Sequence, residues 1–164
     1  MNISALFDMQ RALDNKIKRQ HGLENESLTQ RKILALLVEL GELANETRCF
    51  KFWSTKAPSE RTVILEEYVD GIHFILSLGI GQGFENDTVI NLKSGSGDVS
   101  LTHQFLMVFE SISLFEKNPE LPSYLTVLGE YLYLGELLGF TADEIEKAYL
   151  LKNEINHDRQ KKGY

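Results

Sequence analysis

A single cysteine, Cys49, occurs in 164 residues, which excludes an internal disulfide framework. The chain has no N-terminal apolar run and no long uninterrupted hydrophobic span, so nothing points to secretion or membrane insertion, and the cytoplasm is the expected location. Basic charge is also short: 17 Lys and Arg stand against 24 Asp and Glu, for a formal charge of −7. Nonspecific nucleic-acid binding needs an overall basic patch, and this balance disfavours it. A Walker-type phosphate loop is absent too, since Lys93-Ser-Gly-Ser-Gly-Asp98 reads as a flexible connection rather than a phosphate cradle. The remainder is ordinary for a soluble globular protein, at 43% hydrophobic and 25% charged residues, and predicts one domain over 1–164 with a flexible loop around 84–100.

What the chain does have is two short acidic phrases, Glu39-Leu40-Gly41-Glu42 and Glu67-Tyr68-Val69-Asp70. Residues three apart share a helix face, so two helices here would each present a pair of carboxylates one turn apart. The first phrase lies in a predicted helix, because Ile33, Leu36, Leu37, Leu40, Leu43 and Ala44 recur at helical spacing without an intervening proline. On a helical projection Glu39, Glu42 and Glu46 form a narrow stripe bordered by Leu36 and Leu43, at the edge of the core. The second phrase opens a run from Tyr68 to Ile80 that is apolar or small except at Asp70, His73 and Ser77, which predicts a helix buried nearly all round.

Carboxylates in such a setting must be paired, bind a metal or stay protonated. Each like-charged pair about 4 Å apart costs roughly 4 kcal/mol at an effective dielectric near 20, so the cluster needs cations. Neither face carries a group of Lys or Arg. An all-oxygen donor set favours Mg²⁺, with Mn²⁺ as a substitute, over zinc. The alternative is a solvated acidic face with ordinary ion pairs.

In chain order, a first helix from about Ser4 to Gln20 carries Ile3, Leu6, Leu13 and Ile17 in a stripe that Gln10 interrupts, with Asp14 beside it. A polar side chain there needs a partner, either backbone or the edge of a base. Ser27-Leu-Thr-Gln30 reads as a capping box opening the acidic helix, which stops near Arg48. From Cys49 to Pro58, Phe50, Phe52 and Trp53 alternate with Lys51 and Lys56, a mixture suited to covering a nucleotide or to plugging the core. Ser59 is the expected cap of the third helix, which is predicted to fray at Gly79, Gly81 and Gly83.

On that third helix Phe74 stands one turn beyond Asp70, where its ring either stacks on a base or packs in the core, and Gly71 leaves room beside it. His73 points away from the acids and reads as a core or interface histidine. Apolar helices at Leu101–Lys117 and Leu121–Leu138 follow. Their Phe105, Phe109, Tyr131 and Leu134 must be buried, within the bundle or against a second subunit. Thr141-Ala-Asp-Glu144 is a capping box for a last helix whose inward face turns polar at Lys152, Asn156 and Arg159. This stripe approaches an anion or complements the helix dipole.

Three motifs in order, Glu39-Leu-Gly-Glu-Leu-Ala-Asn-Glu46 with Phe50-Lys-Phe-Trp-Ser54, Leu65 to Phe74, and Lys152 to Tyr164, resemble the dimeric all-α dUTPases of the MazG-like pyrophosphatase superfamily. The likeness covers nearly the whole chain. It implies an all-α homodimer in which Glu39, Glu42, Glu67 and Asp70 bind Mg²⁺ and carry catalysis. It also implies hydrolysis of dUTP to dUMP and pyrophosphate by attack at the β-phosphorus, and leaves open whether dUDP is also consumed; of the four acids, Glu39 is our choice to orient or deprotonate the water. Gln10 falls at the family's uracil-recognition position, Phe52, Trp53 and Phe74 would border the base, and Lys152, Asn156, Arg159 and Tyr164 would meet phosphate. The family often has Leu-Asn where this chain has Leu13-Asp14, which leaves the contacts of Asp14 open. The alternatives are a house-cleaning pyrophosphatase for another or modified nucleotide, and a noncatalytic partner-binding bundle.

Overall fold

The computed structural model describes residues 1–88 and 99–163. Six helices follow one another among them: α1 (Ile3–His21), α2 (Thr29–Thr47), α3 (Arg61–Gln82), α4 (Leu101–Lys117), α5 (Leu121–Leu137) and α6 (Ala142–Lys161). No strand occurs among the described residues, so the all-α expectation holds. Tyr164 and most of the predicted flexible loop, residues 89–98, lie outside the described residues.

Local chemistry sets most of the ends. The Asn2 side chain accepts from the Ala5 N–H at 3.2 Å to start α1, and Gly22 stops it at φ 65°, a left-handed position that glycine takes without strain. The capping box of α6 forms as expected: Thr141 Oγ1 accepts from the Glu144 N–H at 3.2 Å while Glu144 Oε2 accepts from the Thr141 N–H at 2.9 Å. Two expected caps do not form. Leu28, not Ser27, precedes α2 and offers no side-chain cap. Glu60 precedes α3, because Ser59 donates its hydroxyl to Glu46 on α2 and its N–H to the Glu46 carbonyl at 3.0 Å. Helix α3 does not fray at Gly79 or Gly81; it continues to Gln82 and ends at Gly83, φ 76°, the last of the three expected glycines.

Helix α3 is the axis of the bundle, packed against α1, α2, α5 and α6. Its close approach to α5 rests on three glycine–tyrosine contacts. A Cβ on Gly71 would lie 2.0 Å from the Tyr131 Oη, one on Gly79 2.4 Å from the Tyr124 Oη, and one on Gly135 2.5 Å from the Tyr68 Oη. The room expected beside Gly71 for a base is therefore filled by Tyr131. These phenols also satisfy backbone: Tyr131 donates to the Tyr68 carbonyl at 2.9 Å and Tyr68 to the Tyr131 carbonyl at 3.2 Å. Phe105, Tyr131 and Leu134 are buried within the bundle, and Phe109 is half-buried.

Candidate active site

The acids of α2 and α3 converge because these two helices pack side by side along their length. One carboxylate oxygen from each of Glu39, Glu67 and Asp70 lies within 4.8 Å of the others. Glu42 is exposed and stands outside this trio, although its charge acts on both Glu39 and Glu67. Partial burial and then the neighbouring charges of Asp70, Glu42 and Glu67 push the Glu39 carboxyl up to about 7. Glu67 and Asp70 are raised for the same first reason, burial, and a hydrogen bond from Lys152 works the other way at Asp70. Hard oxygen donors so crowded that they favour protons are a fitting set for a divalent cation such as Mg²⁺.

Lys152 is not the phosphate-facing end of an open basic stripe. It is 8% exposed, and its Nζ sits 2.7 Å from Asp70 Oδ2 and 2.8 Å from Glu66 Oε1. Burial disfavours its charge, but these two carboxylates outweigh that and hold its pKa above the usual lysine range. The cation that the acidic faces of α2 and α3 lack thus arrives from α6. Sequence reasoning missed Glu66 altogether; its place beside Glu67 is the only signal, and an exposed glutamate one position off the acidic face does not announce a partner.

A cavity of about 530 Å³ runs from these acids along α3 to α1. Glu39, Asp70, Phe74, Lys152, Asn156 and Arg159 line it, as do Gln10, Asp14, Lys32, His73 and Ser77. Nine of the predicted site residues were expected at one place besides the aromatic loop and the terminal tyrosine, and seven of these line the cavity: Glu39, Asp70, Gln10, Phe74, Lys152, Asn156 and Arg159. Phe52 and Trp53 do not line it. They are 94% and 64% exposed, edge to face with each other at a centroid distance of 4.9 Å. Arg48 anchors their segment, donating to the Lys56 carbonyl at 3.0 Å and to Ser54 Oγ at 2.6 Å.

The polar break in the α1 stripe has side-chain partners, not backbone ones. Gln10 Nε2 donates to Asp14 Oδ1 at 2.8 Å, one turn on along the same face, and its Oε1 meets the Tyr149 hydroxyl at 2.8 Å and His73 Nδ1 at 2.7 Å. Asp14 in turn accepts from Lys32 Nζ at 2.9 Å and from the Ser77 hydroxyl. That settles what Asp14 contacts: it neutralises Lys32 and orients Gln10. His73 is a buried histidine as expected, stacked on Tyr149 at 4.2 Å, yet its ring also borders the cavity.

Fold and site together define a helical protein with a carboxylate trio able to hold a metal ion at the edge of a cavity that a lysine and an arginine also line. The chain belongs to the dUTPase family, whose model matches residues 2–164. It is therefore similar to hydrolases that act on nucleotides. The search of curated proteins returns no match.

Proposed function

We propose that this protein hydrolyses dUTP to dUMP and pyrophosphate. The observation that carries the reading is the trio Glu39, Glu67 and Asp70, two of which, Glu39 and Asp70, line one cavity with Lys152 and Arg159, in a chain that matches the dUTPase family over 2–164. Glu39, Glu67 and Asp70 would hold Mg²⁺ or Mn²⁺, with Glu42 at the rim. Bound there, the metal supplies charge neutralisation for the phosphate chain and acidifies a water. Glu39 orients the attacking water and takes its proton on a carboxylate oxygen. Arg159 and Asn156 bind phosphate oxygens, while Lys152 offsets charge from the opposite side of Asp70.

The base end of the substrate lies toward Gln10 and Phe74, both in the cavity wall. Phe52 and Trp53 reach it only by movement of their exposed segment, and Tyr164 would add to the phosphate end. The reading includes a cytoplasmic homodimer. Its support is apolar surface on adjoining helices, with Leu34 and Val38 of α2 and Leu106 of α4 left 63%, 49% and 61% exposed. No helix among the described residues is long and apolar enough to cross a membrane.

The test is pyrophosphate release from a panel of deoxynucleoside triphosphates with Mg²⁺. Preference for dUTP is the expected result. Equal turnover of all, or turnover only of a different base, moves the protein to a house-cleaning role, and no turnover with intact metal uptake leaves a binding bundle.

A further inference from the structure

His73 has one nitrogen accounted for and one not. The residue is 5% exposed, Nδ1 lies 2.7 Å from Gln10 Oε1, and Nε2 is buried without a hydrogen-bond partner. The chain of contacts behind Gln10 decides which nitrogen carries the proton. Asp14 accepts from Lys32 and Ser77 on one oxygen, so it presents only acceptors, and the Gln10 group facing it at 2.8 Å is the NH₂. The oxygen of Gln10 then faces His73, and an oxygen only accepts. The proton therefore sits on Nδ1. Burial keeps the ring neutral by pushing its pKa down to about 3, with the Lys152 charge adding to the effect. The bare nitrogen is Nε2, a buried acceptor on a residue that borders the cavity.

We infer that His73 Nε2 is a specificity-determining acceptor that takes an N–H or O–H donor from the nucleoside part of the substrate. The inference rests on the nucleotide reading above and adds a residue and a polarity to it. A buried acceptor left unpaired is costly, so a ligand that supplies a donor is preferred over one that does not. On the uracil pairing edge the donor is the N3–H, and cytosine offers an acceptor at that atom. On the sugar the donor is the 3′-hydroxyl. Lys32, Asp14 and Gln10 act through this histidine as positioning residues, holding the tautomer that leaves Nε2 bare.

The experiment is calorimetric binding, with Mg²⁺ present, of dUMP, 3-methyl-dUMP and 2′,3′-dideoxy-UMP to the unaltered protein, His73→Leu and His73→Gln. Nitrogen-15 spectra of the histidine rings of the unaltered protein accompany it. His73→Leu should bind dUMP about tenfold or more weakly. It should lose nothing on the one analogue that lacks the matching donor, which tells base from sugar. His73→Gln, with a carbonyl oxygen near the Nε2 position, should recover part of the loss. The spectrum should show an unprotonated Nε2 that shifts on addition of dUMP.

Equal proportional losses on all three ligands, or an Nε2 signal that dUMP leaves unmoved, overturns the inference while the substrate reading stands. No binding of dUMP to the unaltered protein overturns both. Should His73→Leu fail to fold, the nitrogen-15 shift decides alone.

Discussion

Lys152 Nζ lies 2.7 Å from Asp70 Oδ2, so the last helix reaches into the carboxylate cluster of the second and third and ties one of its acids. The lysine shares itself with Glu66 at 2.8 Å and is itself mostly buried. Lys152→Met keeps the aliphatic stem and removes the charge, and with it the ion pair to Asp70. With Glu66 exposed, the stability cost is on the order of 2 kcal/mol, below that of a fully buried pair. Freed from its lysine, Asp70 should bind Mn²⁺ more tightly than before. Thermal melting of the metal-free protein and Mn²⁺ titration followed by electron paramagnetic resonance check both parts, and unchanged melting would show that the ion pair contributes nothing.

The acids are not equivalent. Glu39→Gln, Glu67→Gln and Asp70→Asn should each lower kcat with Mg²⁺ by roughly a hundredfold or more, because each removes an oxygen from the trio. Glu42→Gln should cost far less, since Glu42 is exposed and outside the trio. Steady-state rates of the four variants at saturating Mg²⁺ rank them directly. Equal losses at all four positions would restore Glu42 to the ligand set.

Glu39 also makes a prediction about pH. Its folded-state pKa is raised from 4.5 to about 7, so between those values the metal-free folded chain keeps a proton that the unfolded chain has released. The stability tied to this proton is therefore present below pH 4.5 and lost as pH rises through 7. Glu39→Gln carries no such penalty. Without metal, its melting temperature relative to the unaltered chain should climb across that window and level off above it. Saturating Mg²⁺ should reverse the order above pH 7, because the metal stabilises the carboxylate and has less to bind in the amide. Differential melting from pH 4.5 to 8.5, with and without Mg²⁺, tests the crossing.

Gly71→Ala meets the core rather than the site. The added Cβ would stand 2.0 Å from the Tyr131 Oη, a ring held by stacking on Tyr68 and by its own hydrogen bond to the Tyr68 carbonyl. Overpacking of this kind costs about 1–3 kcal/mol, and it should push α3 away from α5. Urea denaturation should show a lower midpoint with an unchanged slope. A midpoint equal to that of the unaltered chain would mean the tyrosine moves aside without penalty.

Trp53 is the sole tryptophan and is 64% exposed, so intrinsic fluorescence reports on its segment alone. If the Phe52–Trp53 segment folds over a nucleotide, adding dUMP with Mg²⁺ should shift the emission to shorter wavelength. Trp53→Ala should then raise KM about tenfold with little change in melting temperature, as loss of an exposed side chain predicts. An emission spectrum indifferent to nucleotide would remove this segment from the site.

How much of this was legible in the sequence depends on the range of the interaction. Helical spacing located all six helices, and Thr141 with Glu144 formed the cap that their separation implies, because both partners lie within one turn. Gln10 and Asp14 are also one turn apart, so their hydrogen bond was within reach of the pattern. Ser59 met the rule for a helix cap and yet turned to Glu46, since a carboxylate on a neighbouring helix outcompetes a backbone N–H. Lys152 and Asp70 are 82 positions apart, and no local rule connects them. Gly71 looked like open space for the same reason: the phenol that fills it comes from α5.

That the site needs α6 bears on how the protein is made. Synthesis runs from the N-terminus, and a nascent chain that has released α1 to α5 already carries Glu39, Glu67 and Asp70 but neither Lys152 nor the Tyr149 ring that stacks on His73. Until α6 emerges, the acids repel one another unrelieved and the long groove along α3 stays exposed. Docking of α6 therefore supplies the cation at Asp70 and the ring against His73 together.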